Sequence, residues 1–167
     1  PVVAIVPASA NWKKDWFADR YARVVDAIER DFGWRTMLIG GPGEREQGIA
    51  REIVERAEHK PLWALGDSVR RLMWLVAGSD LLIAPDTGPL HMSVALGRPV
   101  ISLLGYTNPK RTGPYRRFHD LMIDAYGDPG EDYPISMENR PGRMDRITVR
   151  DVLDRVERWR PTAACRR

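Results

Sequence analysis

The chain has 167 residues, of which 43% are hydrophobic and 29% charged, with a formal net charge of +3. This composition is typical of a single folded domain and excludes a disordered chain. A single cysteine, Cys165, excludes a disulfide framework and favours a reducing compartment. No apolar run is long enough to span a bilayer. Because the chain opens directly on a strand-like segment, without Met, we expect it to be part of a longer protein.

Apolar runs of strand length alternate with helical patterns from one end of the chain to the other. In the first half the patterns predict strands at 2–6, 36–39 and 62–65, a helix from Trp16 that stops at Gly33, a helix at 44–59 and a helix that Ser68 caps and Gly78 closes. In the second half they predict strands at 81–84, 100–104 and 119–123, a helix at 89–96, loops at 105–115 and 124–146, and a last helix capped by Thr148. This alternation predicts an α/β fold, a Rossmann-like parallel sheet with helices on both faces, in one domain over residues 1–167.

Polar or glycine-rich turns follow most of the predicted strands. These turns lie at 7–9, 40–42, 65–67, 86–88 and 105–107. Because the carboxyl ends of parallel strands meet at one edge of a sheet, we expect the turns to converge there. The sequence therefore predicts a ligand site at this edge.

The turn after the strand at 81–84 carries the strongest signal for such a site. Asp86-Thr87-Gly88 is followed by a helix that has Pro89 near its first position and His91 one turn in. The unpaired N–H groups and the dipole of a helix N-terminus favour a negative charge, and an imidazole there can hydrogen-bond a phosphate oxygen. We expect Asp86 both to cap this helix and to position an anionic ligand.

Two further turns add candidate ligand residues. In the first turn, the Ser9 hydroxyl can meet a phosphate, and Lys14 can neutralise one as a mobile point charge. After the second predicted strand, the Glu44 carboxylate is placed to accept both ribose hydroxyls, and Glu46 competes with it for that role.

Four other kinds of site are disfavoured by the sequence. Asp-Thr-Gly also occurs in aspartic proteases, but these need two carboxylates that share a proton, and the chain has no second copy of the motif. A dinucleotide-binding fold needs Gly-x-Gly-x-x-Gly after its first strand, where this chain has Pro7-Ala8-Ser9-Ala10-Asn11. Three histidines and one cysteine argue against a structural zinc site, so we expect no metal. The late arginines alternate with acidic residues, which favours a solvated helix face over nucleic-acid binding.

With these residues in place, nearly the whole chain resembles the C-terminal, donor-binding half of the ADP-heptose:lipopolysaccharide heptosyltransferases (glycosyltransferase family 9). The central motif is fairly specific, whereas Lys14-Asp15-Trp16 is weak on its own. The resemblance is carried by Lys14-Asp15-Trp16, Gly40-Gly41-Pro42 with Glu44, Asp86-Thr87-Gly88-Pro89-Leu90-His91, Ala95 to Pro99, Gly105, Pro109, Gly113-Pro114-Tyr115 and Ile147-Thr148-Val149.

The resemblance implies the C-terminal half of a GT-B glycosyltransferase that moves heptose from ADP-heptose to the lipopolysaccharide core with inversion. It implies that the diphosphate is bound by Lys14, Asp86, Thr87, Gly88 and His91, and the ribose by Glu44. The family's general base is an aspartate of the N-terminal half, so we expect no catalytic residue here and no activity from the isolated chain. ADP-sugar would be a substrate, and no cofactor is expected.

The expected partners are the ADP-sugar donor and, through the N-terminal half, the lipopolysaccharide acceptor, with no nucleic acid. The resemblance implies a cytoplasmic protein with peripheral contact to the inner membrane. Two alternatives stay open: a non-catalytic nucleotide-binding module, or another GT-B enzyme such as a nucleotide-sugar epimerase.

Overall fold

A computed structural model describes residues 1–160, so Cys165 and the last two arginines lie outside the described residues. The strands form one six-stranded sheet in the order β3-β2-β1-β4-β5-β6, and every neighbouring pair is parallel. The predicted Rossmann-like parallel sheet is thereby confirmed. The strands are β1 (Val2–Ile5), β2 (Arg35–Leu38), β3 (Leu62–Trp63), β4 (Leu81–Pro85), β5 (Val100–Leu104) and β6 (Ile123–Asp124).

Helices cover both faces of the sheet, as predicted. They are α1 (Ala18–Phe32), α2 (Glu44–Arg56), α3 (Val69–Gly78), α4 (Gly88–Ala95), the single turn α5 (Pro109–Thr112) and α6 (Val149–Trp159). Side chains from α1, α2 and α6 share one apolar core with residues such as Ile5 and Ile83, and α3 and α4 share the other with Ala4 and Leu82. The two cores follow from the alternation of side chains along a strand that is buried on both sides. Within residues 1–160, the structure has no helix of the length and apolarity that crossing a membrane requires.

The largest differences from the predicted elements lie between β5 and the last helix. The predicted strand at 119–123 is wrong over most of its length, because Arg116 and Phe118 take left-handed φ values of 58° and 57° and the chain turns into a 3-10 helix, His119–Leu121. Only the two residues of β6 pair with β5. The predicted loop at 105–115 contains α5, whose N-terminus is capped by the Asn108 side chain.

The end of β5 is in close backbone contact with a turn near the last helix. A Cβ added to Gly105 would lie 2.8 Å from the backbone of Arg143 and Met144, so only glycine allows the 3-10 turn Arg143–Arg146 to approach this closely. Directly after this turn, the Ile147 carbonyl accepts a 3.0 Å hydrogen bond from the Trp16 indole N–H. The turn before α1 and the turn before α6 are therefore tied together.

The long segment after β6 has little regular structure but many contacts of its own. The Arg140 guanidinium lies 4.4 Å from the centre of the Tyr126 ring and donates hydrogen bonds of 2.7 and 2.8 Å to the Glu131 carboxylate. The Lys110 ammonium lies 4.8 Å from the centre of the Tyr133 ring. Cation–π contacts and ion pairs therefore order a segment that lacks helices and strands.

Candidate functional site

The main cleft lies at the carboxyl edge of the sheet, where the chain order reverses between β1 and β4. In open parallel sheets such a reversal leaves a crevice in which ligands bind. The cleft has a volume of about 620 Å³ and is formed by the turns that follow β1, β2 and β4. All seven residues proposed from the sequence line it, namely Ser9, Lys14, Glu44, Asp86, Thr87, Gly88 and His91. Their individual roles in binding stay predictions.

Asp86 is the centre of the polar contacts in this cleft. Its Oδ2 accepts hydrogen bonds from Lys14 Nζ at 2.8 Å and from Thr107 Oγ1 at 2.9 Å, and its Oδ1 lies 3.4 Å from His91 Nε2. Burial raises the pKa of this carboxyl, but the bonds from His91, Lys14 and Thr107 outweigh it and lower the pKa to about 2. Asp86 is therefore an ionised, buried carboxylate that lies between the Lys14 ammonium and the His91 imidazole.

An ionised carboxylate repels a phosphate, so the contacts of Asp86 indicate that it positions Lys14 and His91 rather than touching an anion itself. The expectation that Asp86 caps the following helix is wrong, because its oxygens contact Lys14, His91 and Thr107 instead. The N-cap of α4 is Thr87, which makes no side-chain capping bond. Instead its hydroxyl donates to the Pro85 carbonyl at 3.2 Å. The start of α4 thus reaches the cleft without a side-chain cap.

The turn after β1 holds Lys14 in place by local hydrogen bonds. Ser9 Oγ donates to the Asn11 carbonyl at 2.6 Å, and the Asn11 side chain accepts from the Lys13 N–H at the start of the 3-10 turn Trp12–Lys14. The Ser9 hydroxyl proton is thus used within the turn. Its contribution in this state is to shape the loop that carries Lys14.

A contact that sequence reasoning missed closes one side of the cleft. The Arg45 guanidinium, at the start of α2, donates hydrogen bonds to the Asp15 carboxylate and to the Ser9 carbonyl. Asp15 also accepts the Ser9 N–H at 2.7 Å, and burial raises the pKa of Asp15 in spite of Arg45. Arg45 therefore clamps the β1 turn to α2.

Thr107 was also missed, although its turn was recognised as one of those at the carboxyl edge. Its hydroxyl is buried, donates to Asp86 and accepts a 3.1 Å hydrogen bond from Thr112 Oγ1. The sequence signal available for Thr107 was its position in the turn that follows a predicted strand. No local signal existed for Arg45, because its partner Asp15 is 30 residues away.

The two glutamates of α2 have different surroundings. Glu46 Oε2 accepts the Gly41 N–H at 3.0 Å, and burial raises the pKa of its carboxyl in spite of this bond. Glu46 therefore braces the turn after β2. Glu44 opens α2, lines the cleft and is exposed, which leaves its carboxylate available to a ligand hydroxyl. Both glutamates line the cleft, and Glu44 is the more exposed of the two.

Comparison with protein families and curated proteins gives one consistent result. A family model described as glycosyltransferase family 9 (heptosyltransferase) matches residues 1–128. The lipopolysaccharide core heptosyltransferase OpsX of Haemophilus influenzae is 29% identical over 164 residues, which cover 92% of this chain and 47% of that protein. Lipopolysaccharide heptosyltransferase 3 of Escherichia coli is 30% identical over 165 residues, with 96% and 47% covered. The chain thus spans about half the length of these relatives.

Solved structures agree with the fold. A glycosyl transferase family 9 protein from Veillonella parvula superposes with a TM-score of 0.81 at 28% identity, over 95% of this chain and 45% of that one. ADP-heptose lps heptosyltransferase II of E. coli superposes with a TM-score of 0.72 at 20% identity, over 95% and 46%. E. coli WaaC with ADP superposes with a TM-score of 0.70 at 20% identity, over 95% and 44%.

Proposed function

This chain belongs to glycosyltransferase family 9, the heptosyltransferase family, and on that premise we propose that it is the donor-binding, C-terminal half of a GT-B enzyme. The proposed enzyme transfers heptose from ADP-heptose to the lipopolysaccharide core. The observation that carries the proposal is the arrangement of Lys14 and His91 around Asp86, beside the uncapped start of α4. An ammonium group, an imidazole that can donate a hydrogen bond and a helix N-terminus together suit a diphosphate.

The proposed reaction is a displacement with inversion at the anomeric carbon. An acceptor hydroxyl forms the new C–O bond as the bond to the diphosphate breaks, and ADP leaves with the electron pair. The residues of this chain act on the leaving group, because negative charge grows there in the transition state. Lys14 supplies a point charge, His91 a hydrogen-bond donor, and Asp86 holds both in place.

The nucleoside part of the donor is proposed to bind at the start of α2. Glu44 is proposed to accept the ribose hydroxyls, while Thr87 and Gly88 lie beside the diphosphate at the start of α4. Ser9 is proposed to approach the diphosphate from the β1 turn, and this requires its hydroxyl to leave the Asn11 carbonyl. The general base and the acceptor site are assigned to an N-terminal half.

We further propose that the reaction needs no cofactor, since ADP-sugar is the substrate and the protein's own cations oppose the charge of the leaving ADP. The proposed location is the cytoplasm, with peripheral contact to the inner membrane. The single cysteine of the chain is in keeping with a reducing compartment.

Titration calorimetry of this chain with ADP, UDP and GDP tests the donor assignment. We expect clear binding of ADP and weaker binding of the other two, with no sugar transfer by this chain alone. A preference for UDP would reject the heptose assignment, and no binding of any nucleotide would reject the site itself.

A non-catalytic nucleotide-binding module would also bind ADP, so a second experiment separates the two. A protein that joins this chain to an N-terminal half would be assayed for release of ADP from ADP-heptose in the presence of lipopolysaccharide core. Release that depends on the acceptor supports the transferase. Binding of ADP-heptose without any release would leave the non-catalytic module as the function.

A further inference from the structure

An exposed apolar surface lies on the α3–α4 side of the molecule, away from the cleft. Trp74 is 73% exposed, Val69 63%, Met73 44% and Leu96 41%. With Arg70 and Ala77 these side chains line a groove of about 580 Å³, which we call the α3 groove. A cluster of apolar side chains of this kind marks a contact surface, because each would be better removed from water.

The charges around the α3 groove have one sign. Residues 68–79 and 88–99, which contain both helices, include no Asp or Glu. Arg70 lines the groove, Arg98 is exposed two residues after Leu96, and the Arg117 guanidinium reaches Gly97, where an added Cβ would lie 3.0 Å from its Nη1. These three arginines form no ion pair with another residue of the range 1–160.

The nearest acidic residues in the sequence stand at the two ends of α3 and before α4, where Asp86 lies in the cleft. Asp67 precedes α3, and Asp80 follows it, where its carboxylate accepts the Val2 N–H at 2.8 Å. None of the three lies among the residues that line the groove. The groove is therefore apolar at its centre and cationic at its margin.

We propose that the α3 groove docks on a bilayer that contains anionic phospholipid. A bilayer surface combines apolar chains with phosphate groups, which complements an apolar centre with an arginine margin. Tryptophan prefers the boundary between the apolar and polar layers, and arginine binds phosphate while its stem contacts the chains. Anionic lipid adds attraction for each arginine near the surface.

A second copy of the chain is a poorer occupant. A two-fold dimer would place this surface against itself, and the residues that line the groove offer no carboxylate to pair with the partner's arginines. A protein partner fits less well too, since six residues line the groove and a stable protein interface uses about 20–30 residues on each side.

The groove and the cleft lie on different sides of α3. Leu72 of this helix lines the cleft, whereas Val69, Met73 and Trp74 line the groove, and the two share no residue. Docking would therefore leave the cleft open to a nucleotide. This inference assigns a surface to the membrane contact of the proposed function and rests on it for that contact alone. It can fail while nucleotide binding stands.

Vesicle flotation of the 167-residue chain tests the proposal with phosphatidylcholine vesicles, with and without phosphatidylglycerol. We expect binding that needs phosphatidylglycerol and weakens with salt. Trp74→Glu should lower the partition coefficient by about tenfold or more, because it replaces an apolar anchor by a charge of the wrong sign. Ile135→Glu is the matched control, since Ile135 is 70% exposed outside the groove and gains the same charge. It should retain nearly normal binding.

A second variant covers a failure of Trp74→Glu to fold. Arg70→Ala combined with Arg98→Ala keeps the apolar centre and should clearly weaken the preference for phosphatidylglycerol, because one arginine of the three remains. Circular dichroism and ADP calorimetry of each variant check that the fold and the cleft are intact.

Three results would overturn the proposal. The first is that the chain does not bind phosphatidylglycerol vesicles. The second is that the Trp74 and Ile135 variants lose vesicle binding equally. The third is that the chain does not bind vesicles and forms a dimer that Trp74→Glu dissociates. The last would assign the groove to a second copy. ADP binding that persists in any of these cases would leave the proposed nucleotide site untouched.

Discussion

The cleft and the segment after β6 both contain a carboxyl group whose pKa is lowered to about 2, yet the two groups do different things. At Asp86 burial opposes the shift, and two of the side chains that cause it, Lys14 and His91, lie at the wall of an open cleft. At Glu131 the shift is caused first by hydrogen bonds from Arg140, whose guanidinium covers the Tyr126 ring. A lowered pKa alone therefore does not identify a binding site; what the cations face decides it.

The two regions also differ in how they are connected. Lys14 and Asp86 are 72 residues apart and meet because β1 and β4 are neighbours in the sheet. Arg140 and Glu131 are nine residues apart and meet within one segment. We infer that the cations of the cleft are available to a ligand, whereas those of the segment order the chain around them. The following predictions test this distinction, from the largest expected effect to the smallest.

Removing the Tyr126 side chain should destabilise the fold without weakening nucleotide binding. Tyr126 is fully buried, so Tyr126→Ala leaves a cavity and should lower the free energy of unfolding by about 3–5 kcal/mol. Urea unfolding measures this loss. Tyr126→Phe keeps the ring under Arg140 and loses only the hydroxyl bond to the Glu138 carbonyl, so it should cost about 1 kcal/mol. A large drop in ADP affinity in folded Tyr126→Phe would contradict the separation of the two regions.

Removing the Lys14 side chain should weaken nucleotide binding more than it destabilises the fold. Lys14→Ala deletes a charge-assisted contact to the diphosphate and should weaken ADP binding by about 1–3 kcal/mol, with a smaller effect on unfolding. Lys13→Ala is the matched control, because Lys13 is exposed and its ammonium lies over Trp12. Calorimetry with ADP compares the two. Equal affinities for both variants would remove Lys14 from the site.

The stability of the fold in acid should show that the pKa of Asp86 is lower than that of an ordinary carboxyl. Its folded pKa of about 2 lies below the usual 3.8, so its stabilising contribution is complete above pH 3.8 and is lost as the pH falls through 2. The shift corresponds to about 2 kcal/mol of unfolding free energy. We expect Asp86→Asn to lose about this amount at neutral pH and to show a shallower decline of stability in acid. Parallel urea titrations from neutral pH to pH 2 measure both effects, and identical slopes would refute the assignment.

The smallest effect is expected at Thr107. Thr107→Val removes one buried hydrogen bond to Asp86 and should cost about 1 kcal/mol of stability. It should also move the acid transition of Asp86 towards higher pH, because one group that favours the ionised form is gone. An unchanged acid transition would mean that Thr107 has no influence on this carboxylate.

The sheet and the main turns were predictable because their signals are local. Ser68 caps α3 and Gly33 ends α1 in the left-handed conformation, as the sequence indicated. The predicted helix at 44–59 ends earlier, at Arg56, because Ala57 is already extended. In the region after β5, Asn108-Pro109 is a capping signal for α5, but the glycines, prolines and arginines around it predict a loop. The left-handed Phe118 had no signal at all.

The location of the candidate site was predictable for the same reason, whereas the hydrogen bonds and ion pairs within it were not. The rule that parallel strands end at one edge placed Asp86 and Lys14 in the same region. It could not show that Asp86 binds Lys14 and Thr107 instead of capping α4, since this depends on which strands are neighbours. The Arg45 clamp on Asp15 and Ser9 depends on the placement of α2 and is equally invisible in the sequence.

The close backbone contact at Gly105 supports the link between the turn before α1 and the turn before α6. Any side chain at position 105 would push the turn at Arg143 and Met144 outwards and pull the Ile147 carbonyl from the Trp16 indole. Trp16 stands two residues after Lys14, so a methyl group added just after β5 would disturb the turn that carries this lysine at the same edge of the sheet. A glycine outside the lining of the cleft thus supports the position of a charge within it.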